Sequence, residues 1–171
     1  INFNLRKKEI LGFYGLVGSG RTEVMKTIFG INKFDEGEVN FKNKNLNITK
    51  PKDAIKNGIV YLSEERQNLG MTGLMSVKDN INMAIMDKNS QYLILDKLKD
   101  LQNASELQEK LNIKVSYWSQ LAQSLSGGNQ QKTVIAKWLS TKPEVSILDE
   151  PTKGIDVRSK SAVHEFMGEL V

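Results

Sequence analysis

Leu125-Ser126-Gly127-Gly128-Asn129-Gln130-Gln131 is the stretch from which the chain is best read. A serine and two glycines stand before a helix-forming run. Two glycines weaken a helix start. They also let a backbone approach an anion closely, and the Ser126 hydroxyl adds a donor. A plain serine N-cap with a flexible turn is the alternative. Downstream, Val145-Ser146-Ile147-Leu148 reads as an apolar strand ending in Asp149 and Glu150. Upstream, Gly15-Leu16-Val17-Gly18-Ser19-Gly20-Arg21-Thr22 fits G-x-x-x-x-G-[KR]-[ST], a phosphate-loop pattern with arginine where lysine is usual.

Each motif has a chemical reason. In the loop, Gly15, Gly18 and Gly20 let backbone N–H groups turn inward around phosphates, and Ser19 lies within that cradle. The helix N-terminus that follows adds partial positive charge. Thr22 offers a hydroxyl to Mg²⁺. Arg21 keeps the charge of a lysine but is longer and planar, so the exchange is not conservative. Asp149, at a strand end, suits the carboxylate that holds Mg²⁺. Glu150 beside it can polarise an attacking water.

The 171 residues are 39% hydrophobic and 26% charged, as expected of one globular domain with a real core. No apolar run approaches the roughly 18 residues of a membrane-spanning helix, and no signal peptide is visible. Zero cysteines exclude disulfides and thiolate metal sites and fit a reducing compartment. The net charge of +4 does not point to nucleic acid. The lysines are dispersed, and no basic stretch is interleaved with stacking aromatics. The chain opens on Ile1 and ends on Val171 inside a predicted helix, as expected of a piece of something longer.

Ile1, Phe3 and Leu5 alternate like a half-buried strand, and Ile10 to Tyr14 reads as a strand buried on both faces. Thr22 to Phe29 reads as a helix closed by Gly30. Gly37 to Lys42 alternates like an antiparallel strand. Pro51 opens a short helix that Gly58 ends, and Ile59 to Leu62 is a second buried strand. Glu64 to Met75 is a polar loop with exposed-looking Leu69, Met71 and Leu74. From Ser76, which forms a capping box with Asp79, to Leu139 the pattern is helical. There Leu98, Leu101, Ala104, Leu107 and Leu111 form one apolar stripe read as core packing. Arg158 to Val171 returns to helix. The order predicts an α/β core, residues 1–75 and 140–171, with a helical subdomain, 76–139, inserted.

LSGGNQQK resembles the signature motif of ABC ATPases, and ILDEPTKGID and GIVYLSEER resemble that family's Walker B and Q-loop segments. Leu125, Asn129, Gln130, Gln131 and Lys132 go beyond what a simple capped turn requires. The resemblance implies a P-loop NTPase core of ABC type with an antiparallel β hairpin region, its C-terminal part missing from the chain. It implies ATP and Mg²⁺ as cofactors. Gly15, Gly18, Ser19, Gly20, Arg21, Thr22, Glu64, Ser126, Gly127, Gly128, Gln130 and Asp156 are then nucleotide-binding, Glu150 catalytic, and Thr22 and Asp149 ligands of Mg²⁺. In that family the signature completes the ATP site of an opposite domain.

GLVGSGRTE, YLSEER, GMTGLMSVKDNI, LSGGNQQK and DEPTKGIDVRSK together resemble the second ATPase domain of monosaccharide importers of ribose, galactose and xylose type. That implies a first ATPase domain fused N-terminally, a transmembrane permease, an indirect sugar-binding partner, and a place at the cytoplasmic face of the membrane. Arg21 and Glu64, where a lysine and a glutamine are commoner, fit this branch and imply a weakened site. By position His164 is not the family's switch histidine, which is expected beyond Val171, and the adenine-stacking aromatic is expected before Ile1. A regulatory ABC module without transport is the alternative. A DNA-acting ABC ATPase is disfavoured, because Thr22 to Ser126 leaves no room for a long coiled coil and there is no cysteine for zinc.

Overall fold

The computed structural model describes residues 1–65, 69–91 and 94–169; side chains are not described at 88–91, 94, 95, 158, 162, 166 and 169. Helix α1 (Arg21–Phe29) follows the glycine loop and is closed by Gly30, whose φ of 83° is left-handed and whose N–H bonds the Thr27 carbonyl. A Cβ at Gly30 would lie 2.8 Å from the Lys50 carbonyl carbon, so glycine is required there twice over. Strands β1 (Val39–Phe41) and β2 (Lys44–Leu46) form an antiparallel hairpin in which Val39 faces Leu46. Its two-residue turn, Lys42-Asn43, takes positive φ at both positions. Pro51 opens α2 (Pro51–Lys56), and Asp53 accepts bonds from the Thr49 and Lys50 backbone at its start.

Strand β3 (Ile59–Leu62) is buried at every residue and pairs in parallel with β6 (Val145–Leu148), with Ile59 opposite Val145 and Leu62 opposite Leu148. Two adjacent parallel strands far apart in sequence need a long crossover. Here the crossover holds α3 (Val77–Asn82), a 3₁₀ turn at Met83–Ile85, α4 (Met86–Asn89), α5 (Lys97–Lys110), a second 3₁₀ turn at Ala122–Ser124, and α6 (Gly127–Leu139). Strands β4 (Ser90–Gln91) and β5 (Ile94–Leu95) form a small hairpin within it, so this segment is not wholly helical. Ser76 caps α3, its Oγ accepting from the Asp79 N–H at 3.0 Å. Helix α7 (Val157–Glu169) follows β6.

Two apolar clusters meet at Trp138. One joins Val77 and Ile81 of α3, Ala104 and Leu107 of α5, and Val134, Ile135 and Ala136 of α6. The other joins Phe29, Ile48, Ala54, Ile59 and Tyr61. Trp138 packs against both. Helix α6 contains three consecutive β-branched residues, Thr133 to Ile135, which are modest helix formers. Its stability comes from burial rather than propensity.

Four expectations are corrected. Ile1–Leu5 and Ile10–Tyr14 form no strands, and Ile10, Phe13 and Tyr14 are exposed. An apolar run becomes a strand only where neighbours supply a ladder and a covering layer, and no strand of the described residues pairs with either segment. The stripe on α5 is half right: Ala104, Leu107 and Leu111 are core, while Leu98 and Leu101 in the first turns are exposed. In the loop after β3, Leu69 and Leu74 are exposed but Met71 is buried in the larger cluster. Residues 66–68 of the loop read over Glu64 to Met75, Gln67 among them, lie outside the described residues.

Candidate nucleotide site and signature

The sequence-predicted residues gather in two groups. The first is built where the glycine loop meets the end of β6. Gly18 and Gly20 adopt left-handed φ values of 80° and 86°. A Cβ at Gly15 would lie 2.7 Å from Ser19 Oγ, so the loop closes on itself where the pattern demands glycine. The Ser19 N–H bonds the Leu16 carbonyl at 3.1 Å. Gly20 is the N-cap of α1 and has no side chain to satisfy the helix's first N–H groups, which leaves them for an anion.

Thr22, in the first turn of α1, donates its hydroxyl to Asp149 Oδ1 at 3.2 Å. The Asp149 N–H bonds the Leu62 carbonyl at 2.9 Å, extending the β3–β6 ladder by one rung and fixing where this side chain emerges. Two oxygens 3.2 Å apart suit adjacent positions on an octahedral Mg²⁺, whose bonds of about 2.1 Å put neighbouring ligands about 3 Å apart. Mg²⁺ commonly takes one or two protein oxygens and fills its shell with waters and phosphates. The Thr22–Asp149 pair therefore fits it without a cluster of acids.

Glu150 has a positive φ of 45°, a conformation that turns the chain sharply after the strand. Its carboxylate stands 3.9 Å from the Arg21 guanidinium, both partly exposed. Lys153 donates to Glu64 across the same edge. The Glu64 carboxylate holds the Lys153 ammonium above its usual pKa. Thus the four charged side chains at positions 21, 64, 150 and 153 are joined in two ion pairs.

The second group is the start of α6. Ser126 is its N-cap residue, extended in backbone, yet its hydroxyl makes no bond to the helix's first N–H groups. Instead its Oγ accepts from the Asn129 amide at 3.1 Å, and Asn129 Oδ1 accepts from the Lys114 N–H at 2.9 Å. The simple serine cap considered for this stretch is not what forms. Gly127 opens the helix. A Cβ on Gly128 would lie 2.0 Å from Ser159 Oγ and 3.3 Å from Asp156 Oδ2, so the starts of α6 and α7 touch here. Asp156 accepts from the Ser159 N–H and hydroxyl, at 3.0 and 2.7 Å. Gln130 is buried, and its amide donates to the carbonyls of Gln123 and Leu125. It holds the chain leading into the signature rather than facing outward. His164, on α7, is exposed and belongs to neither group.

Sequence reasoning missed Tyr61. Its hydroxyl donates to Asp149 Oδ2 at 2.7 Å. Burial, reinforced by the Asp149 carboxylate, pushes the phenol well above its usual pKa and keeps it a donor. The signal was present: a hydroxyl in an otherwise aliphatic buried strand must find a partner. Lys137, on α6, was also missed. It is buried, its ammonium donates to the Gly70 carbonyl and lies 4.7 Å from the centre of the Trp138 ring, and burial pulls its pKa down to about 8.

This architecture is shared with ATP-binding cassettes. A dimeric post-hydrolysis state of the cassette MJ0796 bound to ADP and Pi superposes with a TM-score of 0.80 at 20% identity, covering 98% of this chain and 71% of that one. The cassette MJ1267 of an ABC transporter superposes at 0.73 with 26% identity, over 90% and 62%. The chain belongs to the ABC transporter family, whose model matches residues 1–153. Among curated relatives, the ribose import ATP-binding protein RbsA of Roseobacter denitrificans is 46% identical over 99% of this chain and 33% of its own length. The xylose import ATP-binding protein XylG of Thermoanaerobacter pseudethanolicus is 45% identical over 100% of this chain and 34% of its own. The chain thus spans about a third of the length of these relatives.

Proposed function

We propose that this chain is an ATPase domain of a monosaccharide importer, the second of two fused in one polypeptide. The reading places the nucleotide-binding core in residues 1–75 and 140–171 and the signature subdomain in 76–139. The glycine loop, with Arg21, receives the phosphates of ATP. Thr22 and Asp149 hold Mg²⁺, which when bound neutralises charge on the β- and γ-phosphates. Glu64 and Glu150 would complete the site around bound ATP, with Glu150 as the base toward water. The observation that carries the nucleotide site is the meeting of Thr22 and Asp149 from 127 residues apart, beside a loop with left-handed Gly18 and Gly20, and similarity to ribose and xylose import ATP-binding proteins supports the importer.

The chain's own site is weak because Arg21 already reaches Glu150. Its larger contribution is made in trans. Ser126, Gly127 and Gly128 present a hydroxyl and free helix N–H groups to ATP held on the first domain, stabilising charge that builds in the transition state. Gln130 and Asp156 act from behind, holding the two helix starts that frame this surface. The permease meets the loop after β3, where Leu69 and Leu74 stand 58% and 75% exposed, an apolar pair that suits an interface. No helix among the described residues is long and apolar enough to cross a membrane. The domain works at the cytoplasmic face through the permease, and a sugar-binding protein delivers the cargo.

The test is reconstitution of the full-length protein with its permease in vesicles. ATP-dependent uptake of a labelled monosaccharide is expected. ATP hydrolysis with no uptake of any pentose or hexose contradicts the transport reading and favours a regulatory ABC module.

A further inference from the structure

Tyr61 is the third residue of β3, and its side chain has two ends with different neighbours. The ring packs on Phe29, 5.5 Å between centroids, and Phe29 in turn meets the Trp138 ring edge-on at 6.0 Å. Phe29 is the last residue of α1, the helix that begins with Arg21 and Thr22. The hydroxyl donates to Asp149 Oδ2, while Asp149 Oδ1 accepts from Thr22. One side chain therefore braces both the helix that carries Thr22 and the carboxylate that faces it.

A carboxylate at a strand end can rotate about two side-chain bonds. Backbone pairing fixes where Asp149 emerges but not how the plane of its carboxylate is turned. The phenol removes that freedom: with one oxygen held by Tyr61, the carboxylate is set so that the other faces α1. Hydrogen bonds to a ligand's second oxygen are a general means of orienting metal-binding carboxylates. A phenol on a carboxylate is a charge-assisted bond, stronger than a neutral one.

We propose that Tyr61 is a positioning residue for the divalent metal: it locks the Asp149 carboxylate so that Oδ1 and Thr22 Oγ1 form a preset oxygen pair. The proposal rests on the reading of Thr22 and Asp149 as the Mg²⁺ ligands. The Tyr61 hydroxyl is given to Asp149 and its ring to Phe29, so its effect passes through Asp149. Its loss leaves the phosphate cradle of Gly15 to Gly20 intact, so nucleotide still binds, but more metal is needed to bring the two oxygens together.

The experiment is photolabelling of the full-length protein with 8-azido-ATP as Mg²⁺ is titrated, with labelled peptides of this domain assigned by mass spectrometry. Tyr61→Phe should raise the Mg²⁺ concentration at half-maximal labelling about tenfold. Labelling at saturating Mg²⁺ should return to the wild-type level. A purely structural hydroxyl predicts a lowered melting temperature with the Mg²⁺ midpoint within about twofold of wild type, and that result overturns the proposal. Should Tyr61→Phe not be recovered folded, Tyr61→Met removes the hydroxyl with a flexible apolar chain and is held to the same midpoint. If the wild-type protein labels without any dependence on Mg²⁺, the metal reading of Thr22 and Asp149 falls, and the proposal with it. A Mg²⁺-dependent wild type with an unmoved variant overturns only the role of Tyr61.

Discussion

Two helices in this molecule open on glycine, and they are held very differently. Helix α1 follows a loop in which Leu16 and Val17 are 86% and 99% exposed, and only Phe29 at its far end is buried. Helix α6 has eight buried residues, from Gly128 to Lys137, and lies between α3, α5, β3 and α7. Both offer uncapped N–H groups to an anion. In α1 the neighbouring cation, Arg21, is already drawn toward Glu150. In α6 the hydroxyl of Ser126 is kept off the helix by Asn129, and the chain before it is pinned by Gln130. Preorganised donors stabilise a transition state at no cost of rearrangement. By that measure the signature is the better-built half.

The largest effect short of the signature's charge itself is expected at Gly128. Gly128→Ala places a methyl against Ser159 Oγ at 2.0 Å and Cβ at 2.8 Å, forcing α6 and α7 apart. We expect a loss of about 1–3 kcal/mol in denaturant unfolding of the full-length protein. A change under about 0.5 kcal/mol would show that the two helix starts yield freely, and the contrast with α1 would weaken.

Lys137 sharpens the comparison through pH. Its folded pKa of about 8 lies below its ordinary 10.5. Between these values the unfolded chain holds more protons, so stability rises with pH there and is flat on either side. Compared with Lys137→Met, the wild type should gain on the order of 2 kcal/mol from pH 8 to 10. Parallel stability curves for the two proteins across that window would contradict a buried ammonium.

Arg21→Lys addresses the weaker half. Freeing the loop's cation from Glu150 should tighten Mg-ATP binding about two- to fivefold, the scale of a partly exposed ion pair. Weaker binding in calorimetry would mean that the arginine is the better phosphate ligand here. His164→Ala, on the exposed face of α7, should change unfolding by less than about 0.5 kcal/mol.

How much of this was legible depended on whether a residue's role is local. The antiparallel strand within Gly37 to Lys42, the Ser76 cap, Gly30 and the buried strand Ile59–Leu62 follow from neighbours in sequence, and all form. Ile10–Tyr14 has the composition of a central strand, but a strand is a property of its partners as well, and none pairs with it among the described residues. Leu98 and Leu101 keep the period of the α5 stripe yet stay exposed, although α3 still reaches this turn through the Asn82 amide on the Asp100 carbonyl. At the site, the glycines, Thr22, Asp149 and the signature could be read from spacing. Lys137 and the Glu64–Lys153 pair could not, and the Tyr61 hydroxyl signalled only that it needs a partner, not which one, because each acts through a contact between segments far apart in sequence.

The central claim is that this domain serves chiefly through its signature, in trans. The most direct measurement compares two variants of the full-length importer in a vesicle uptake assay. Gly127→Asp adds bulk and negative charge where α6 begins, and it should abolish ATPase activity and sugar uptake. Glu150→Gln, which touches only the site compromised by Arg21, should cost clearly less. Uptake that survives Gly127→Asp but fails in Glu150→Gln would contradict this division of labour.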